Sequence, residues 1–276
     1  MLKNFKHQLQ VKNDPISNLS WRLYRKIQPS RRFQLFCVGT PRSGTHSIHA
    51  LFAENYRSWH EPYLPQLYSI LSKKHLSEIS FQEISQWLLS RDFKLWLEVE
   101  ASHPLNFLVA ELATTFPEAK FILTVREPVS WLKSEINKNL GTEGKLWRDL
   151  EKFRYGNEAM DYEPEERFLR DYGVYPTANY FKYWTQHNQR VLSTVNRENL
   201  LIVKTAEIPQ SVARIARFIG IPAETLAVQK SHVSASGSDR PIPQLVLAEE
   251  FLATQAERYC GELYAQLLAL KKNFSD

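Results

Sequence analysis

The stretch FCVGTPRSGTHSIHALF, Phe36 to Phe52, decides the fold. It opens on an apolar, strand-like run, passes through a turn with two glycines, and closes with the spacing of a helix. That order aims backbone N–H groups and a helix N-terminus at an anion. The turn runs from Gly39 through Thr40, Pro41, Arg42 and Ser43 to Gly44, and the helix opens on Thr45, His46 and Ser47. A triphosphate-binding loop of the form G-x-x-x-x-G-K-[ST] carries lysine after its second glycine, where this chain has Thr45. Nucleoside triphosphate hydrolysis at this loop is thereby disfavoured. Arg42, inside the turn, offers a guanidinium for a phosphate or for the bridging oxygen of a leaving group. Ser43, Thr45 and Ser47 add hydroxyl donors.

Outward from the loop, apolar strands alternate with amphipathic helices. RFQLFCVG (Arg32–Gly39), KLWLEVE (Lys94–Glu100), AKFILTVR (Ala119–Arg126) and NLLIVKT (Asn199–Thr205) read as buried strands, and SWHEPY as a short strand end and turn. Helices are expected at Gly44–Asn55, around Leu64–Lys74 and Phe81–Leu89, at Pro104–Phe116, Pro128–Lys138, Tyr180–Val195 and Gln210–Gly220, and over Leu245–Lys271. The pattern is that of an α/β domain, three layers with a mostly parallel central sheet flanked by helices. Between Asn139 and Pro176 the periodicity fails; this insertion is rich in aromatics and reads either as a lid or as two short packed helices.

The 276 residues suit a single domain over 32–276 behind a basic N-terminal extension, 1–31. Residues 1–32 carry eight basic side chains against Asp14 alone, so the rest of the chain is slightly acidic despite an overall charge of +5. The charge therefore does not point to nucleic acid, although the basic arm could touch an acidic lipid surface. No apolar run approaches the roughly 18 residues of a membrane span. Two cysteines, Cys37 and Cys260, and no apolar leader fit a reducing compartment and a cytoplasmic location. Cys37 reads as a buried, inert thiol. No His, Cys or Asp cluster has metal-ligand spacing, so no metal is expected.

The loop Thr40-Pro41-Arg42-Ser43-Gly44-Thr45-His46 resembles the 5′-phosphosulfate loop of the sulfotransferases that use 3′-phosphoadenosine 5′-phosphosulfate (PAPS). A second motif supports the resemblance. That family's 3′-phosphate site is an arginine ending a strand and a serine eight residues on, and FILTVREPVSWLKSEI supplies Arg126 and Ser134 at that spacing. The resemblance covers roughly Arg32–Pro243. It implies PAPS as donor, 3′,5′-adenosine bisphosphate as product, and a small-molecule, carbohydrate or lipid acceptor. It further implies donor contacts at Arg42, Ser43, Gly44, Thr45, His46, Ser47, Arg126 and Ser134, with Arg42 acting in catalysis as well. KSHVSASGSDRPIP (Lys230–Pro243) stands where the family has a basic, glycine-bearing cover loop, which makes Arg240 a further donor contact beside Ser236 and Gly237. Tyr180 and Phe181 stand near a position where the family often supplies an aromatic for adenine.

Sulfuryl transfer needs a base for the acceptor's proton and cations for the leaving oxygen. Glu61, in WHEPY, matches the region where several branches place a catalytic glutamate and is the first choice. His103, in EASHPL, lies close to where the cytosolic branch puts its histidine and is the second; Glu100 and His60 follow. Two other classes stay open on these residues: a P-loop nucleotide kinase or phosphotransferase, and a non-catalytic nucleotide-binding module on the same fold.

Overall fold

The alternating runs become a five-stranded sheet in the computed structural model of the chain, which describes residues 31–140, 144–156, 158–230 and 247–272. The strands are β1 (Leu35–Cys37), β2 (Ser58–His60), β3 (Val99–Ala101), β4 (Lys120–Val125) and β5 (Leu200–Lys204). All pair in parallel, in the order β2-β3-β1-β4-β5. Parallel neighbours require crossovers, and helices supply them. Those described are α1 (Thr45–Phe52), α2 (Leu64–His75), α3 (Phe81–Leu95), α4 (Val109–Thr115), α5 (Pro128–Leu140), α6 (Lys145–Tyr155), α7 (Thr177–Thr194), α8 (Val212–Ile219) and α9 (Glu249–Lys272).

Both faces of the sheet are buried, which is why its strands read as continuous apolar runs rather than alternating ones. Phe36, Val38, Phe121, Leu123, Val125, Leu200 and Ile202 turn to one face and join a core with Trp131, Tyr180, Phe181 and Trp184. Leu35, Cys37, Ile122, Leu201 and Val203 alternate with them and are also buried. Gln34–Asp276 form one compact unit. Apart from Arg31, the extension expected at 1–31 lies outside the described residues.

Three segments depart most from the sequence reading. KLWLEVE is not one strand: Lys94 and Leu95 close α3, Trp96 caps it with φ 49°, and only Val99–Ala101 reach the ladder. The helix expected at Pro104–Phe116 starts as a 3₁₀ stretch, His103–Leu108, before α4. The insertion resolves into α6 and a 3₁₀ segment, Pro164–Tyr172, and it is core rather than a loose cover. Leu150, Tyr155, Tyr162 and Leu169 are buried, and Phe153 packs edge-on to Phe107 at 4.9 Å. Cys37 is fully buried, and burial pushes its thiol up to about 12. Among the described residues no helix is long and apolar enough to cross a membrane.

β1 sits mid-sheet, with β3 and β2 to one side and β4 and β5 to the other. The chain reverses direction across the sheet there, and ligands of open α/β sheets gather beyond the carboxyl ends of strands at such a point.

Candidate active site

The loop after β1 is held by its own hydroxyls and by its neighbours. Ser43 Oγ donates to Thr40 O at 2.6 Å and lies 2.8 Å from Thr124 Oγ1, fully buried. Its hydroxyl closes the loop and does not serve as a free donor, contrary to the sequence reading. Trp131 Nε1, from α5, donates to Pro41 O at 2.7 Å. Gly39 allows the loop to lie against β4, since a Cβ there would stand 1.9 Å from Thr124 Oγ1. Gly44 takes φ 103°, which L side chains rarely adopt. It opens α1 with no side-chain cap, so the first-turn N–H groups at Thr45, His46 and Ser47 face outward without intrahelical partners.

Arg42 takes φ 62°, a left-handed conformation unusual for arginine. Its side chain reaches α5, where Nε donates to Ser134 Oγ at 3.2 Å. Arg126 leaves the end of β4 and returns to the same loop: Nη1 donates to Arg42 O at 3.3 Å and Nε to Ser130 Oγ at 3.4 Å. Trp184 Nε1 fixes the Arg126 carbonyl at 3.2 Å. The nearby Glu127 carboxylate caps α5 through the N–H groups of Val129 and Ser130. Burial and the adjacent Arg42 both push the Arg126 guanidinium below its ordinary value. Among the described residues neither guanidinium forms an ion pair. Two half-buried cations that converge without a carboxylate between them make an anion site.

Across β1, the ends of β2 and β3 hold the two candidate bases. Glu61 N donates to Ala101 O at 3.0 Å, which extends the β2–β3 pairing by one residue. Glu61 then takes φ 50°. Its Oε1 lies 2.5 Å from His103 Nδ1, and both side chains are largely buried. His103 Nε2 is buried and has no hydrogen-bond partner among the described residues. Burial raises the Glu61 carboxyl, but His103, His60 and Arg154 outweigh it and hold the group at about 2.

Beside this pair stand three imidazoles. His60 Nε2 is 3.2 Å from Thr45 Oγ1 and 3.9 Å from Glu61 Oε1, and its ring stacks on His46 at 4.9 Å. His49 Nδ1 is 2.9 Å from Ser58 Oγ. Burial pushes all three below the ordinary histidine value, His49 to about 4, so they are neutral near pH 7.

Other expectations resolve differently. Tyr180 and Phe181 are buried in the core on α7 and are not available to a nucleotide base. Glu100 is committed to a buried bidentate pair with Arg91 and has no freedom to act as a base. Arg240, Ser236 and Gly237 lie outside the described residues.

Two cations at the site went unnoticed in the sequence. Lys138 lies one turn beyond Ser134 on α5, exposed, within electrostatic reach of both Arg42 and Glu61, and 5.9 Å from the Trp147 ring. The i, i+4 spacing from Ser134 could have found it. Arg154, from the insertion, is buried against Glu135 at 3.3 Å and also bears on Glu61; no local pattern signals it.

A sulfotransferase domain model matches residues 34–226. Over 109 residues the chain is 31% identical to the Ava biosynthesis cluster protein M of Aspergillus versicolor, a match covering 37% of this chain and 42% of that protein. The chain thus spans less than half the length of the curated relative it matches. Among solved structures, the sulfotransferase from Alicyclobacillus acidocaldarius is 17% identical with a TM-score of 0.49, over 88% of this chain and 97% of that one. The sulfotransferase domain from the Synechococcus PCC 7002 olefin synthase is 14% identical with a TM-score of 0.44, over 88% and 94%. The domain match covers the loop after β1, Arg126, Ser134 and both members of the Glu61–His103 pair, and on it the chain belongs to the sulfotransferase family.

Proposed function

We propose that this sulfotransferase moves a sulfuryl group from PAPS to a hydroxyl or amine acceptor by in-line displacement. The carrying observation is the convergence of Arg42, Ser134 and Arg126 on one side of the carboxyl edge, with the Glu61–His103 pair on the other. The donor supplies an activated sulfuryl group with a phosphate as leaving group. In this reading Arg42 and the N–H groups at Gly44, Thr45, His46 and Ser47 hold the 5′-phosphosulfate. Arg126 and Ser134 hold the 3′-phosphate.

The acceptor oxygen bonds to sulfur as the bond from sulfur to the 5′-phosphate oxygen breaks. Arg42 and Lys138 offset the charge that grows on the leaving oxygen. The acceptor proton goes to His103 Nε2, a buried nitrogen with no other partner among the described residues. Glu61 is too acidic to serve alone, because an effective base has a pKa near the working pH. It accepts the hydrogen bond from His103 Nδ1, fixes the tautomer, and stabilises the imidazolium that forms. The carboxylate preferred on sequence grounds becomes the orienting partner and the histidine the base. Acceptors are small-molecule, carbohydrate or lipid hydroxyls and amines.

Calorimetry with 3′,5′-adenosine bisphosphate, ADP and ATP with Mg²⁺ tests the donor assignment, and labelled transfer to a panel of hydroxyl and amine acceptors tests the chemistry. Tight binding of the bisphosphate and weak binding of ATP are expected. The reverse order would sink the proposal.

A further inference from the structure

Glu61 stands on a turn whose conformation its own residues disfavour. Glu61 has φ 50° and Tyr63 φ 54°, with Pro62 between them. Left-handed backbone at non-glycine residues persists where the surroundings over-determine it. Pro62 has no N–H, so its carbonyl is the one backbone group through which hydrogen bonding can hold that residue.

That carbonyl accepts from Arg91 Nη2, on α3, at 2.9 Å. The same guanidinium grips Glu100 of β3 with both nitrogens, Nη2 to Oε1 at 2.6 Å and Nη1 to Oε2. Glu100 directly precedes Ala101, whose carbonyl receives the Glu61 N–H. One side chain therefore ties the turn to the strand at the point where Glu61 leaves the sheet. The guanidinium also lies over the Trp87 ring, 5.7 Å from its centroid, and both partners of the pair are buried. A buried ion pair is a weak source of net stability, since apolar replacements of similar volume are often neutral. Its geometric work here is specific: it fills the acceptor of the residue next to Glu61.

We propose that Arg91 and Glu100 are positioning residues of the transfer site, and that the Glu100-braced guanidinium holds the Pro62 carbonyl and so aims the Glu61 carboxylate at His103. The proposal rests on the reading of Glu61 and His103 as a working pair, but it concerns the geometry of that pair and can be tested without turnover.

The test uses the full chain bound to 3′,5′-adenosine bisphosphate, with selective carbon labelling to follow the Glu61 carboxyl by NMR as pH is varied. The double variant Arg91→Met/Glu100→Leu removes the pair without leaving an orphaned charge. The Glu61 titration is expected to rise from about 2 toward the ordinary value of 4.5, with bisphosphate affinity kept within about twofold. Arg91→Lys keeps the ion pair but lacks the fork that also reaches Pro62, and the same direction of change is expected. It decides the matter if the double variant does not fold. A Glu61 titration that stays near 2 in a folded variant overturns the proposal. Failure of the wild-type protein to bind the bisphosphate would count against the donor assignment, and the carboxyl titration, repeated on the unliganded protein, would still judge the clamp.

Discussion

The two halves of the sheet's carboxyl edge are built differently. On the β1–β4 side the site is mostly backbone: two glycines, a left-handed Arg42 and an uncapped helix start. Neighbouring side chains there chiefly tie down carbonyls, as Trp131 does at Pro41 and Trp184 at Arg126. On the β2–β3 side the site is side-chain pairs between separate elements: Glu61 with His103 and Arg91 with Glu100. A backbone cradle suits a ligand part that never changes, such as a phosphate. Paired side chains suit proton movement.

The comparison breaks most sharply if binding and chemistry fail to separate. His103→Ala is expected to lower transfer by about 10²–10⁴-fold, the usual range for a positioned base, and Glu61→Gln by a similar factor. Bisphosphate affinity measured by calorimetry should stay near wild type in both. Parallel loss of affinity and turnover would mean that the two halves are one unit.

The converse experiment is on the other side. Arg126→Gln removes a charged donor from the anion site and should weaken bisphosphate binding by about 10–100-fold, the equivalent of roughly 1.5–3 kcal/mol. The Glu61–His103 pair lies beyond β1, and the Glu61 carboxyl should still titrate near 2 in this variant.

Gly44→Ala sharpens the claim that the donor side is backbone. A Cβ at φ 103° is strained and would meet Ile208 Cδ1 at 2.5 Å. A loss of about 1–3 kcal/mol in denaturant unfolding is expected. Ser134→Ala removes a hydroxyl from the same site without touching the backbone and should leave stability within about 0.5 kcal/mol.

The same contrast explains what the sequence disclosed. Gly39 to Ser47 and Arg126 to Ser134 were legible because each is a strand end, a turn and a helix start within a dozen residues, and local spacing carries the geometry. Glu61 and His103 were each visible, but their pairing spans 42 residues and depends on β2 and β3 being neighbours. Arg91 and Arg154 carry no local signal of burial, and only tertiary packing reveals that both are buried. The over-long third strand has a similar cause. Leu95, Trp96 and Leu97 are apolar enough to read as strand, yet Leu95 still belongs to α3 and faces the core from there.

The smallest effect concerns the seam between the halves, where His49 of α1 meets Ser58 of β2. His46 and His60 face it within the same cluster, with Arg42 and Glu61 bearing on His46 and Glu61 on His60. Burial, aided by its two neighbours, holds His49 at about 4, below its ordinary 6.5. Between those values the unfolded chain takes up a proton that the folded chain refuses. The contribution is therefore fully present above pH 6.5 and is lost as pH falls through the window toward about 4. Glu61 acts in a lower window, from 4.5 down to about 2, so the two do not mask one another. At pH 5.5 the His49 share is about 1 kcal/mol, or roughly 2–4 °C in Tm for a domain of this size. His49→Asn keeps a side-chain partner for Ser58 and cannot be protonated. The drop in Tm between pH 6.5 and 5.5 should shrink by that amount, and an unchanged slope would place the acid sensitivity elsewhere than in the seam.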